Sequence, residues 1–231
     1  MNLSRLLLSP GLLVLAACSG APQDAAPIAD TAVPEPVATS PAPAEAPADA
    51  FLAAIAGHCG QAFAGRVLTD EPASAGADAF AGQALVMHVR ECGEGELRIP
   101  FHVGADRSRT WVLTRTAAGL RLKHDHRHED GSEDAVTLYG GDTATAGTAI
   151  RQEFPVDAES VAMFEREGLN ASVNNTWAME IEPGTRFLYE LSRPGGRLFQ
   201  VEFDLRQPVD APPPPWGAEE PAEDPAEDPA D

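Results

Sequence analysis

Apolar and polar residues alternate along most of residues 63–205, and this period of two predicts a β-rich domain. The predicted strands are Phe63–Leu68, Ala84–Glu91, Leu97–Val103, Thr110–Arg115, Leu120–His128, Ala135–Tyr139, Thr148–Phe154, Thr176–Glu182, Arg186–Arg193 and Leu198–Leu205. Turn residues separate these runs about every 8–14 positions, a spacing typical of antiparallel sandwiches and barrels.

The registers of neighbouring strands follow from side-chain parity, because a slip of one residue moves every side chain to the other face. In the last three strands, three-residue turns at 183–185 and 194–196 place the apolar side chains on one face. On the opposite face, Arg186 falls opposite both Glu182 and Asp204. The same reasoning places Trp111 opposite His124. These strands therefore predict a meander with one buried face and one wet face.

Two short helices complete the predicted domain. One covers Asp49–His58, and the other follows Asp157, a residue suited to an N-cap, and stops at Gly168. The expected fold class is mainly β: a single antiparallel β-barrel or strongly curved meander sheet of about 8–10 strands, with one or two short helices. The arrangement resembles that of calycins and lipocalins in architecture. Gly60-Gln61-Ala62 stands where lipocalins have their Gly-x-Trp.

A barrel of this size can hold a small ligand in its interior if it closes. Parity places seven large side chains inside, and these are the expected ligand-lining residues. They are Trp111, Leu113, Leu122, Met179, Phe187, Tyr189 and Phe203. The composition of this set favours an apolar or amphipathic ligand.

The first 20 residues resemble the signal of a bacterial lipoprotein. Arg5 precedes a short apolar run, and the run ends in Leu15-Ala16-Ala17-Cys18, which matches the lipobox. The resemblance implies a signal peptide over residues 1–17 and a lipid group on Cys18. Ser19 after the cysteine implies the outer membrane, with the protein facing the periplasm. The cell envelope is therefore the expected location, and the membrane is a partner through the lipid anchor.

Two segments are predicted to be disordered, because they cannot bury enough apolar surface to offset their ordering entropy. Residues 18–50 form an Ala/Pro-rich tether after the lipidated cysteine, and residues 207–231 form an acidic, Pro-rich tail. Of the net charge of −20, about −8 remains on the globular domain, residues 51–206. Because that domain has no basic cluster, nucleic acid is an unexpected partner. A monomer is expected.

Two cysteines, Cys59 and Cys92, remain once Cys18 is lipidated. The oxidising envelope favours a disulfide between them, and two free buried thiols are the alternative.

The most unusual local pattern is the run His124, His126 and His128, whose members point to one face of a strand. Alternate histidines can ligate zinc and leave a fourth position open for catalysis. The register argues against this, because it places Arg109 beside His126 and Arg107 beside His128. Two alternatives remain: an adventitious or pH-sensitive histidine patch, or structural and solvated histidines, with His124 stacked on Trp111 and the strand running out into solvent. His88 and His102 are expected on the polar face of the first hairpin.

Three functions stay open at this stage. The first is a non-catalytic binding module for a small apolar or amphipathic ligand or an envelope partner, without a cofactor. The second is a metal-binding protein or zinc-dependent enzyme centred on the histidine run. The third is a structural or interaction lipoprotein without a ligand. Standard catalytic motifs are missing from the sequence, which favours a protein that is not an enzyme.

Overall fold

Eleven antiparallel strands form one sheet in the computed structural model, which describes residues 45–73 and 79–218. The elements are α1 (Pro47–Ala56), β1 (Ala62–Glu71), β2 (Leu85–His88), β3 (Glu91–Gly93), β4 (Glu96–Val103), β5 (Asp106–Arg115), β6 (Leu120–His126), β7 (Tyr139–Asp142), β8 (Arg151–Pro155), α2 (Ala158–Arg166), a short 3-10 helix (Asn170–Asn174), β9 (Thr176–Glu182), β10 (Arg186–Arg193) and β11 (Arg197–Val209). The expected mainly β fold class with two helices is confirmed.

The sheet curls into a nearly closed barrel whose strand order is β7-β6-β5-β4-β2-β1-β11-β10-β9-β8, with β3 beside β4. Its two edges, β7 and β8, meet at a pair of glycines. The Gly140 carbonyl accepts a hydrogen bond from the Asp157 N–H at 2.9 Å, just beyond the end of β8. A Cβ atom on Gly141 would lie 1.8 Å from the Pro155 carbonyl oxygen. The missing side chain at Gly141 therefore allows the two edges to approach.

Helix α1 covers one end of the barrel. Its Phe51 and Ile55 side chains are fully buried in the core. An ion pair between Asp49 and Arg115 joins the start of α1 to the end of β5. Helix α1 therefore closes this end of the barrel.

Cys59 and Cys92 form the expected disulfide, which joins the segment after α1 to β3. The bond closes a loop with a sequence separation of 33 residues. In the chain-entropy treatment, such a loop stabilises the fold by about 3–4 kcal/mol. The pairing predicted from the sequence is confirmed.

The registers predicted from parity are also confirmed. Arg186 pairs with Glu182 on β9 and with Asp204 on β11. Trp111 pairs with His124 across β5 and β6. The period of two therefore specified these strand pairings correctly.

One predicted strand, Ala135–Tyr139, is wrong. The strand in this region is β7, which begins at Tyr139 and contains Gly140 and Gly141. Two consecutive glycines are typical of turns, whereas here they permit close contact between strand edges. The predicted strand Ala84–Glu91 is interrupted, so that β2 and β3 pair separately with β4.

The C-terminal part of the described chain differs from the predicted boundary at residue 206. Strand β11 continues to Val209, and the following segment lies against the barrel. There the Trp216 N–H donates to the Arg107 carbonyl at 3.1 Å, and Arg107 Nη1 donates to the Pro214 carbonyl at 2.9 Å. Similarly, α1 begins at Pro47, inside the predicted tether.

Cys18, the signal peptide over residues 1–17 and the remainder of the predicted tail, residues 219–231, lie outside the described residues. Among the residues described, no helix has the length and apolar character needed to cross a membrane.

Replacing Gly141 with Ala should separate the edges of the barrel, because the new Cβ atom would overlap the Pro155 carbonyl. We expect Gly141→Ala to lower the free energy of unfolding by more than about 2 kcal/mol, measured by urea denaturation. Gly93→Ala is the matched control, because a Cβ there meets no atom closer than 3.6 Å. Equal stability of the two variants would contradict this account of closure.

Candidate ligand-binding site

A cavity of about 350 Å³ opens at the end of the barrel opposite α1. Its wall comes from the ends of β1, β4, β6 and β10, from the starts of β5, β7, β9 and β11, and from the α2 region. Eight aromatic residues line it: Phe80, Phe101, Trp111, Tyr139, Phe164, Trp177, Tyr189 and Phe199. The volume lies at the lower end of the range of small-molecule sites.

A stack of three rings joins opposite walls of the cavity. Phe101 on β4 stacks on Trp111 at a centroid distance of 5.0 Å and an interplanar angle of 17°. Trp111 on β5 stacks on Tyr189 of β10 at 4.6 Å and 22°. Because each ring is held by a neighbour, the apolar wall has a fixed shape before any ligand binds.

His124 lies in this wall, and both of its ring nitrogens are hydrogen-bonded. Nδ1 is 3.1 Å from the Tyr139 carbonyl and Nε2 is 2.8 Å from the Tyr189 hydroxyl. Burial lowers the pKa of His124 to about 3, so the ring is neutral at pH 7. Since a carbonyl can only accept, Nδ1 carries the proton and Nε2 accepts from Tyr189.

The expected stacking of His124 on Trp111 is wrong. His124 stacks instead on Tyr139 of β7, at a centroid distance of 4.7 Å and an interplanar angle of 10°. The Tyr139 hydroxyl in turn lies 3.1 Å from His126 Nε2. Burial, followed by the positive charge of Arg109, lowers the pKa of His126 to about 4.

The structure does not bring the three histidines of the run together as a ligand set. Strand β6 ends at His126, and His128 lies exposed in the following turn. Both nitrogens of His124 are already engaged. Within residues 45–73 and 79–218, no group of three His, Cys, Asp or Glu side chains is placed to hold a metal ion.

The seven residues expected to line a ligand site are all buried, but they divide into two groups. Trp111 and Tyr189 line the cavity. The other five fill the barrel between the cavity and α1 and do not line it: Leu113, Leu122, Met179, Phe187 and Phe203. The packed core therefore restricts the cavity to one end.

Three arginines line the cavity: Arg109, Arg193 and Arg197. Arg109 is paired with Asp106 at 2.5 Å, and Arg197 is paired with Asp70. These two guanidinium groups already have carboxylate partners, so much of their charge is compensated.

Arg193 differs from the other two arginines. Its Nε atom donates to the Oδ1 atom of the buried Asn175. Within the described part of the chain, no carboxylate lies within 4.0 Å of it. Burial, followed by the nearby charge of Arg197, lowers the pKa of Arg193.

Parity could have identified these cavity residues. Arg193 continues the inward-facing series of Tyr189 and Leu191 on β10, and Arg109 continues the series of Trp111 on β5. At the cavity end of the barrel, the inward-facing side chains change from apolar to cationic. By contrast, Phe80, Leu169 and Ser172 come from loops and from the 3-10 helix, whose position relative to the barrel no periodic pattern encodes.

The expectation that His102 is exposed on the polar face of the hairpin is wrong, because only 3% of His102 is exposed. Its Nε2 atom has no hydrogen-bond partner in the described part of the chain. Burial and the positive charge of Arg107 lower the pKa of His102 to about 4.

A second cavity, of about 700 Å³, lies between the outer face of the sheet and the segment Pro215–Ala218. The buried Asp125 at its wall accepts hydrogen bonds from Arg98 at 2.7 Å and from Arg127 at 2.8 Å. Because the carboxylate and the two guanidinium groups are already paired, the described lining of this cavity offers no unpaired charge to a ligand. The ring-lined cavity inside the barrel is therefore the better candidate for ligand binding.

Comparisons with protein-family models, with curated proteins and with solved structures found no match. The proposed function is therefore inferred from the geometry and chemistry of the cavity.

The buried histidines should make the fold sensitive to mild acid. The folded-state pKa values of His102, His124 and His126 lie below the ordinary histidine value of 6.5, so the unfolded chain binds more protons below that pH. Their stabilising contribution is complete above about pH 6.5 and is lost as the pH falls towards 4. At pH 5 the loss should reach up to about 2 kcal/mol for each histidine.

Urea denaturation at pH 7.5 and pH 5.0 measures this loss. His102→Leu should show a smaller loss than the native chain, because one buried proton-binding site is removed. His128→Gln is the control and should behave as the native chain does, since His128 is exposed. Equal stability of the native chain at both pH values would refute this explanation.

Proposed function

We propose that this chain is a lipid-anchored protein of the cell envelope whose barrel binds one small apolar or amphipathic ligand. The observation that carries the binding proposal is the ring-lined cavity of about 350 Å³ at the open end of the barrel. Sites for small molecules are concave and combine an apolar lining with polar groups that fix the orientation of the ligand. This cavity is concave and combines eight aromatic residues with charged and polar side chains.

Contacts within the cavity wall oppose a movement of the neighbouring side chains into the cavity, and this supports ligand binding there. Trp111 and Tyr189 are fixed by stacking, and Tyr189 is fixed again by its hydrogen bond to His124. Collapse of the wall into the cavity would break these contacts. A ligand therefore meets a preformed surface, which reduces the entropy lost on binding.

The location is proposed from the lipobox at Cys18 and from the Ala/Pro-rich segment that follows it. A lipid on Cys18 would hold the chain at a membrane, and an extended tether would let the barrel meet ligands at some distance from that surface. An oxidising envelope also suits the Cys59–Cys92 disulfide.

Ligand binding can be tested with N-phenyl-1-naphthylamine, an uncharged aromatic probe whose fluorescence rises in apolar surroundings. We expect saturable binding of one probe per native chain. Ser172→Phe should weaken it by about tenfold or more, because Ser172 lines the cavity and a phenyl ring would occupy the space. Without saturable binding by the native chain, the proposal fails.

The matched control for this experiment is Ala171→Phe, which introduces the same ring one position earlier on the same 3-10 helix. Ala171 is exposed and does not line the cavity. Its affinity for the probe should remain within about twofold of the native value. An equal loss in both variants would point to distortion of the helix and would remove the support for binding inside the barrel.

Lipid attachment can be tested by growing bacteria that express the full chain with radiolabelled palmitate. The native chain should carry the label, and Cys18→Ser should lose it, because the thiol that would be alkylated is gone. Cys59→Ser is the control and should keep the label. Label that persists in Cys18→Ser would overturn the proposed anchor.

A further inference from the structure

The charge around the cavity contrasts with that of the whole chain. The protein has a net charge of −20, yet the described cavity lining carries three arginines against two carboxylates, Asp70 and Asp134. Two cavities on the outer face of the sheet have the same balance of three arginines and two carboxylates, but each of their arginines is ion-paired. The cavity inside the barrel differs because one of its arginines, Arg193, has no carboxylate partner among the described residues.

Two of these arginines lie directly opposite each other in the sheet. Arg193 on β10 is the register partner of Arg197 on β11. Like charges opposite each other on neighbouring strands destabilise a sheet, unless an opposite charge lies near them. Asp70 supplies that charge to Arg197. No described carboxylate supplies it to Arg193.

The Arg193 guanidinium has unused donors at its terminal nitrogens. Its single hydrogen bond among the described residues runs from Nε to Asn175, which leaves Nη1 and Nη2 with four N–H groups. Neither nitrogen is among the buried atoms that lack a partner, so both remain accessible to an incoming group. The bond to Asn175 meanwhile holds the guanidinium in place at the cavity wall.

We propose that the ligand of this cavity carries an acid group, a carboxylate or a phosphate, which binds Arg193 while the apolar body of the ligand lies against the ring-lined wall. This inference rests on the proposed function and specifies the ligand class of the same site.

The chemistry of the side chain matches such a group. A guanidinium presents pairs of parallel N–H donors, and the oxygens of a carboxylate or phosphate accept them two at a time. Arg197 adds positive potential beside Arg193. A neutral ligand would leave the charge of Arg193 without a counterion in a site from which water has been displaced, whereas an acid would neutralise it.

Ligands that differ only in the head group test the proposal. Decanoate, decyl phosphate and decanol share one apolar chain, and inorganic phosphate has the head group alone. Tryptophan fluorescence reports binding in a Trp216→Phe background, in which the remaining two tryptophans, Trp111 and Trp177, both line the cavity. We expect decanoate or decyl phosphate to bind about tenfold or more tightly than decanol, and the stronger of the two identifies the acid.

Variants of Arg193 then locate the contact. Arg193→Met should lower the affinity for the preferred acid by about tenfold and leave the affinity for decanol within about twofold. Arg193→Lys should recover part of the loss, because it restores the charge without the paired donors. Arg206→Met is the matched control, since it removes the same charge from an exposed arginine outside the cavity, and it should leave acid binding unchanged.

The outcomes separate the two proposals. If decanol binds as tightly as both acids, or if Arg193→Met binds the acid normally, the acid-head proposal is overturned while binding inside the barrel stands. If none of the chain-bearing ligands binds, both proposals fail. Binding of inorganic phosphate as tight as that of decyl phosphate would also overturn the assignment, because the apolar body would then contribute nothing.

Arg193→Met also removes the bond to Asn175 and could disturb the fold. Its binding of decanol provides the check, because decanol needs the same cavity and no charge. If decanol binding is lost as well, the comparison of decanoate and decyl phosphate with decanol in the native-Arg193 protein decides the question alone. A preference below about tenfold would then overturn the proposal.

Discussion

The stack of Phe101, Trp111 and Tyr189 is the interaction on which the rest of the site depends. These rings come from β4, β5 and β10, so the stack connects strands on opposite sides of the barrel. On the side facing the core, Trp111 also contacts Phe203 edge to face at 6.1 Å. The stack thus marks the boundary between a filled interior and an open end. Under the proposed function, its position would set the depth to which a ligand enters.

The histidines extend this boundary by hydrogen bonds. The Tyr189 hydroxyl is hydrogen-bonded to His124, and the ring of His124 stacks on Tyr139 in the cavity wall. A charged imidazole would be costly in such surroundings, so the wall is stable only while the ring is neutral. The histidine run therefore acts in the structure as part of a wall. The alternating pattern suggested a metal site in the sequence. In the structure, His124 and His126 share the inward face of β6, and the strand ends at His126, before His128.

How far the sequence predicts the fold and the cavity depends on the distance over which each sequence pattern carries information. Parity acts between adjacent strands, so it gave the pairing of Trp111 with His124 correctly. It did not give the stacking partner of His124, because Tyr139 begins the next strand, Tyr139–Asp142, whereas the sequence pattern predicted a strand that ended at Tyr139. Parity also shows which side chains point inward, and it placed Phe187 and Phe203 in the interior. It does not show how much of the barrel interior is packed with side chains, because that depends on α1 packing into one end. Loop residues such as Phe80 carry no periodic signal at all.

The charge distribution gives the two proposals a common electrostatic setting. With a net charge of −20, the protein repels an anion at long range, but salt screens this repulsion beyond about 8–10 Å at physiological ionic strength. At the cavity, contact with Arg193 acts over a few ångströms and in a site of lower dielectric, where charge pairing is stronger. An acidic ligand would therefore gain little from steering and much from contact. Its affinity would depend mainly on how slowly it leaves, which is the behaviour expected when a fixed aromatic wall holds the apolar body and one arginine holds the acid.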